Sequence, residues 1–164
     1  MPGAARARPV GAEFDPTGFT YAGFNGLLAP LRPGTGIGVP GTFAVILTGL
    51  ETGYVTVTLE LHPASPAAPV LDDWDEVVEA SLELPDGDAY VIDAHDNTPF
   101  PSLAAYTGQP TRIRVHARGR DAAREALEPH DEHPLEQHLI QLWPAAVSQL
   151  TTHRLSDTTG PFYR

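Results

Sequence analysis

The sequence predicts a mainly β protein, a single-domain antiparallel β-sandwich of about 7–8 strands with one short helix. Three observations lead there. Apolar and polar residues alternate with period two in one stretch after another, the mark of half-buried strands. The 17 prolines and 15 glycines punctuate the chain throughout, which suits short strands joined by turns. Only 121–127 has helical spacing, with Asp121 placed as N-cap before Ala-Ala-Arg-Glu-Ala-Leu.

Taken in order, residues 1–12 read as a flexible N-terminal arm, 13–147 as the sandwich domain and 148–164 as a C-terminal tail. Early strands are expected at 19–24 and 42–48, around a Pro/Gly-rich linker at 30–40. In 54–62, Val55, Val57, Leu59 and Leu61 share one face, and Thr56, Thr58, Glu60 and His62 share the other. A second Pro-rich linker follows at 63–69. Across 74–84, Trp74, Val78, Ala80, Leu82 and Leu84 line one face, which Glu76 alone interrupts. Val77, Glu79, Ser81 and Glu83 line the opposite face. The Pro-Asp-Gly-Asp run at 85–88 joins φ-restricting and φ-permissive residues in a turn, and a strand resumes at 89–94. Ile113, Val115 and Ala117 then oppose Arg112, Arg114, His116 and Arg118. A last strand at 138–143 is closed by Pro144. Trp74 and Trp143 are expected as core anchors of facing sheets, since tryptophan buries a large area.

At 164 residues the chain fits one domain, and a domain of this size buries roughly 70% of its unfolded surface. Cysteine is absent, so disulfides, thiolate nucleophiles and cysteine-ligated zinc are excluded. The first 15 residues lack the apolar region of a signal peptide. The longest apolar run, 43–47, is far too short to span a bilayer. The expectation is a cytoplasmic protein without cofactor. All ten basic residues are arginine, consistent with a high-GC coding bias.

Charge is distributed unevenly. Between Arg32 and Arg112 there is no basic residue, yet 12 carboxylates occur there, eight of them within 72–88. The window 112–124 holds five arginines against Asp121, a net +4, which leaves −15 for the rest of the −11 total. Such a field repels nucleic acid and membranes of like charge and favours encounter with basic partners.

Three segments carry a resemblance. They are Trp-Asp-Glu-Val-Val-Glu-Ala-Ser at 74–81, Arg-Ile-Arg-Val-His-Ala-Arg-Gly-Arg-Asp at 112–121, and Leu-Ile-Gln-Leu-Trp-Pro at 139–144. Their order resembles an uncharacterised family of β-rich actinobacterial proteins with these three motifs. More distantly, the layout is similar to the competence protein J inhibitors of a bacterial DNA-entry nuclease. There, an aromatic-rich first strand, a central strand, a Pro/Gly/Asp turn and an apolar last strand come in the same order. The 30–41 segment and the 130–138 loop have no counterpart in that layout. The resemblance implies a β fold and an inhibitory or immunity-type role, and it carries no catalytic residues.

The candidate sites follow from charge and spacing. Asp72, Asp73, Asp75, Glu79, Asp86 and Asp88 form the expected partner-binding set, able to mimic phosphates in the basic cleft of a nuclease. The plainer reading is a solvated strand face with two polar turns. Arg112, Arg114, His116 and Arg118 form one row that binds an anion or pairs with the chain's own Glu79 or Glu83. Internal pairing is favoured, because the surrounding negative charge opposes nucleic acid. His130, His133 and His138 lie near carboxylates and offer neutral imidazoles for zinc or nickel. Pro134 breaks any helix that would align them, so no metal is expected. Asp93, His95 and Asp96 lack a nucleophile elbow, and no enzyme activity is assigned. Gly36, Gly38 and Gly41 match the dinucleotide fingerprint only formally, since Pro40 interrupts it and a strand follows.

The expected function is protein binding, as an inhibitor or immunity-type partner of a basic enzyme such as a nuclease. One alternative is a small-ligand or metal-binding β-sandwich or barrel, with or without catalysis, that uses His116 or the 130–138 loop. Another is a homodimer or larger homo-oligomeric assembly subunit formed through exposed strand edges.

Overall fold

The computed structural model describes residues 3–7, 20–23, 27–31, 44–50, 53–84, 89, 91, 100–126 and 133–159; the first three segments are described as backbone only. The described residues form nine strands: β1 (Gly3–Ala7), β2 (Thr20–Gly23), β3 (Leu27–Leu31), β4 (Val45–Ile46), β5 (Val55–Leu61), β6 (Glu76–Glu83), β7 (Pro110–Arg118), β8 (Gln137–Pro144) and β9 (Thr151–Leu155). One short helix, α1 (Arg120–Glu125), links β7 to β8. The fold is therefore mainly β with little helix. No helix among the described residues is long and apolar enough to cross a membrane.

The principal sheet has the order β1-β5-β8-β7-β6-β9, and β2, β3 and β4 form a second, three-stranded sheet. The four alternating segments expected at 54–62, 74–84, 112–118 and 138–143 become β5, β6, β7 and β8. Their order is not that of the chain, and the sheet is mixed rather than wholly antiparallel, because β5 and β8 run parallel. A parallel pair needs a long crossover. Here β6, β7 and α1 fall between the two strands in sequence.

One face of the sheet carries the apolar core. Val55, Val57 and Leu59 of β5, Val78, Ala80 and Leu82 of β6, Ile113 and Val115 of β7, and Ile140 and Leu142 of β8 pack together there. Phe100, Leu103 and Tyr106 cover them, with Ala44, Ile46, Leu50, Ala89 and Val91 packed against the cluster. Each valine, leucine, isoleucine or phenylalanine among them contributes about 1.5–3 kcal/mol when fully buried. Tyr106 also places its hydroxyl on the His62 carbonyl at 3.0 Å, which satisfies its polar end.

Several expectations are corrected. β6 is buried on both faces over Glu76–Leu82, so its alternation separates an apolar interior from a polar interior rather than core from solvent. Neither Trp74 nor Trp143 belongs to the apolar cluster. Both stack under arginines of the polar face, Arg118 over Trp74 at 5.2 Å and Arg114 over Trp143 at 5.1 Å. Helix α1 begins after Gly119, whose φ of +78° suits glycine, and not after Asp121. The Asp121 carboxylate instead accepts hydrogen bonds from Thr158 and Thr159, and these bonds hold it below its ordinary pKa despite the opposing effect of burial.

Gly3–Ala7, within the expected N-terminal arm, pairs with β5 as β1. Thr151–Leu155, within the expected C-terminal tail, pairs with β6 as β9. The 85–88 turn and most of the expected 89–94 strand lie outside the described residues, as do Asp93, His95, Asp96 and the glycines at 36, 38 and 41.

Candidate functional site

Opposite the apolar core, the same strands present a row of polar side chains set by register. Glu79 of β6 stands opposite Arg114 of β7, Arg114 opposite Gln141 of β8, and Gln141 opposite Glu60 of β5. Because cross-strand neighbours on one face lie within reach of each other, the row closes into a chain of hydrogen bonds. Arg114 Nε donates to Glu79 Oε1 at 2.6 Å, and its Nη1 donates to Gln141 Oε1 at 3.2 Å. Gln141 Nε2 donates to Glu60 Oε2 at 2.7 Å. A histidine ends the row on each side: His153 of β9 donates to Glu79 at 2.9 Å and His62 donates to Glu60 at 3.0 Å.

Arg112 lies one step along β7 and makes five bonds. Its Nε donates to Glu79 Oε2 at 3.2 Å, and its Nη groups donate to Ser81 Oγ, the Ser148 and Gln149 carbonyls and Thr151 Oγ1. Glu79 is thus the shared acceptor for two arginines and a histidine. Burial alone would raise its carboxyl; the bonds from Arg114, His153 and Arg112 outweigh that and hold it below its ordinary value. The Gln141 bond is the main cause that lowers Glu60.

His116 sits on this face at 2% exposure and donates its Nδ1–H to the Leu139 carbonyl at 3.2 Å. Burial lowers its pKa to about 4, so the imidazole is neutral at pH 7. Its ring lies 5.2 Å from that of Trp74. Arg118, at the exposed end of the strand, donates from Nε and Nη2 to Gln137 Oε1 and lies over the same Trp74 ring. Of the expected row, Arg112 and Arg114 pair internally with Glu79, whereas His116 and Arg118 bond the Leu139 carbonyl and Gln137. Glu83 takes no part in that pairing and lies exposed opposite Pro110.

The expected partner-binding carboxylates separate. Asp72 and Asp73 sit exposed on a 3-10 turn at Leu71–Asp73. The Asp72 side chain is fully exposed and accepts from Arg154 at 3.2 Å. Asp75 is half-buried and accepts from the Gly119 amide at 2.8 Å. Glu79 is enclosed by its arginines and is not displayed at the surface; the cationic row opposite it requires that position. Asp86 and Asp88 lie outside the described residues.

A second ionic cluster closes the apolar face at one end. Arg120 pairs with Glu76 at 2.8 Å and with Asp157 at 3.0 Å, all three enclosed. Nearby in the register, His138 donates to Glu136 Oε1 at 2.7 Å, and the Gly49 amide donates to Glu136 Oε2 at 2.9 Å. Glu76 and His138 flank Ala117 on adjacent strands, which puts them on one face. Sequence reasoning missed this cluster. The available signal was Glu76, a carboxylate placed on an otherwise apolar face, which needs an enclosed partner.

His138 is interior, His133 is exposed and His130 lies outside the described residues. Among the described residues, no group of three or more histidines and carboxylates could hold a metal ion. What this arrangement does chemically is fix strand register with charge pairs, while leaving Asp72 and Asp73 outward. No protein-family model matches the chain, and neither a curated protein nor a solved structure matches it.

Proposed function

We propose that the chain is a protein-binding module, an inhibitor or immunity-type partner of a basic enzyme such as a nuclease. In this reading the three-stranded sheet is the second layer of a sandwich, and Asp72 and Asp73 are contact residues; Asp86 and Asp88 belong to the same expected set and lie outside the described residues.

One observation carries the reading. Among the described residues the buried charges nearly cancel, so the acidic excess is carried by the rest of the chain. Arg112, Arg114 and Arg120 are interior, against the interior carboxylates Glu76, Glu79, Glu136 and Asp157. That is three positive against four negative, a net −1, so −10 of the −11 total charge lies elsewhere in the chain. A chain whose acidic excess lies outside its paired interior charges attracts a basic protein and repels nucleic acid. The similarity of layout to nuclease inhibitors points the same way.

The test is capture by the tagged full chain at low salt from a lysate of its own organism, with elution by rising salt and identification by mass spectrometry. The expected result is one basic protein released by salt, bound more weakly by the Asp72→Asn/Asp73→Asn variant. Equal binding by that variant would remove the acidic contact, and no salt-released protein would remove the function.

A further inference from the structure

We infer that residues 144–156 form a strap that opens from the polar face as a unit while the sheet beneath stays folded. This inference is independent of the identity of any partner. Not one residue from Pro144 to Ser156 is buried, although Trp143 before it and Asp157 after it both are. The larger apolar side chains of the segment, Val147, Leu150 and Leu155, are exposed at 49%, 37% and 37%. No apolar burial therefore holds the segment down.

What holds it is polar. Ser148 N donates to Ser81 Oγ at 3.1 Å, and Arg112 reaches the Ser148 and Gln149 carbonyls and Thr151 Oγ1. His153 bonds Glu79, and Arg154 bonds the Leu71 carbonyl. β9 itself pairs with β6 across a register shift opposite Val77 and Val78, which weakens the ladder. Beneath the segment lie Arg112 at 4% and Glu79 at 8% exposure. When the strap lifts, these buried charges regain water, which offsets the hydrogen bonds lost.

Both ends are firm. At one end β8 is anchored by Leu142 and Trp143, at 1% and 4% exposure. At the other, Asp157 pairs with Arg120, and Thr158 and Thr159 bond Asp121. Segments with few buried apolar contacts open at lower free energy than the core that flanks them. The strap fits that description between two fixed ends, and its opening uncovers the outer edge of β6 together with the Arg112–Glu79 pair.

Hydrogen exchange of the full chain, read by mass spectrometry, tests this. Amides of 148–155 should exchange about 100-fold or more faster than those of 112–117. Thr151→Val, which removes one acceptor from Arg112, should speed the strap further and leave 112–117 unchanged. In parallel, phenylglyoxal should label Arg112 at a rate between those of exposed Arg124 and buried Arg120. The inference is overturned if strap and β7 amides exchange at one rate, if Thr151→Val leaves the strap unaltered or speeds both regions by one factor, or if Arg112 labels as slowly as Arg120.

Discussion

The two faces of the principal sheet are built from the same strands, and across β6 and β7 both are interior, yet they are held by different physics. On one, Val78, Val115, Ile140 and Leu142 pack into an apolar cluster whose stabilisation depends on area and little on direction. On the other, Glu79, Arg114 and Gln141 are each at 9% exposure or less and depend on a specific set of bonds. An apolar contact weakens gradually as shape changes, whereas a buried charge stripped of its partner costs its full desolvation. In β6 and β7 alternation thus sorts side chains by the kind of partner they need, whereas in β5 it also separates buried from half-exposed residues.

That contrast can be broken at its hub. Glu79→Gln keeps the shape and leaves Arg112 and Arg114 enclosed without a countercharge. Urea unfolding should show a loss of about 3–5 kcal/mol. Leu142→Ala on the apolar face should cost about 3 kcal/mol, with the polar network intact. A Glu79→Gln protein as stable as the parent would mean that the polar face contributes no cohesion.

Acid acts on the two faces unequally, because His116 belongs to the polar face alone. Its folded pKa, about 4, lies below the ordinary 6.5. Between these values the unfolded chain takes up a proton that the folded chain refuses, so stability falls as pH drops from 6.5 towards 4 and is fully present above 6.5. The difference corresponds to about 3 kcal/mol. Glu60 and Glu79, held below 4.5, add their own losses only beneath that value. His116→Gln should therefore flatten the profile between 6.5 and 4.5, and an unchanged slope there would assign the effect to other groups.

Conservative changes should separate the faces by smaller amounts. Arg114→Lys keeps the charge and loses the forked bonding to Glu79, Gln141 and the Ala67 carbonyl, a cost of about 2 kcal/mol. Ile140→Val should cost about 1 kcal/mol. The reverse order, by the same unfolding measurement, would contradict the distinction. Smallest of all, Asp72→Asn should leave the unfolding midpoint in place, since its pair with Arg154 is open to solvent.

Much of this was legible in the sequence, for reasons that also explain the gaps. The strands β5 to β8 follow from period-two alternation, and the pairing of Arg112 and Arg114 with Glu79 follows from opposite charges on neighbouring strands. The expectation of Trp143 as a core anchor followed its size, whereas in the strand it shares the face of Gln141 and lies under Arg114, opposite Ile140 and Leu142. The β9 strand was illegible because Thr-Thr-His-Arg-Leu buries neither face and so carries no alternation. The parallel alignment of β5 with β8, and the meeting of Glu76, Arg120 and Asp157, are products of strand order, which local pattern does not encode. Of the candidate interface, charge revealed the excess of carboxylates but not that Glu79 is enclosed while Asp72 and Asp73 stay outside.

Charges thus divide between enclosed pairs that hold the sheet and exposed groups such as Asp72, Asp73 and Arg154 that stay in solvent contact. Unfolding free energy measured against salt, from about 0.02 to about 1 M sodium chloride, tests this division most directly, since screening reaches exposed charges and hardly touches enclosed ones. Stability should hold level or rise with salt, as repulsion within the acidic surface is screened and the interior pairs persist. Stability that falls steeply with salt would show that exposed ion pairs hold the fold, and would contradict the division.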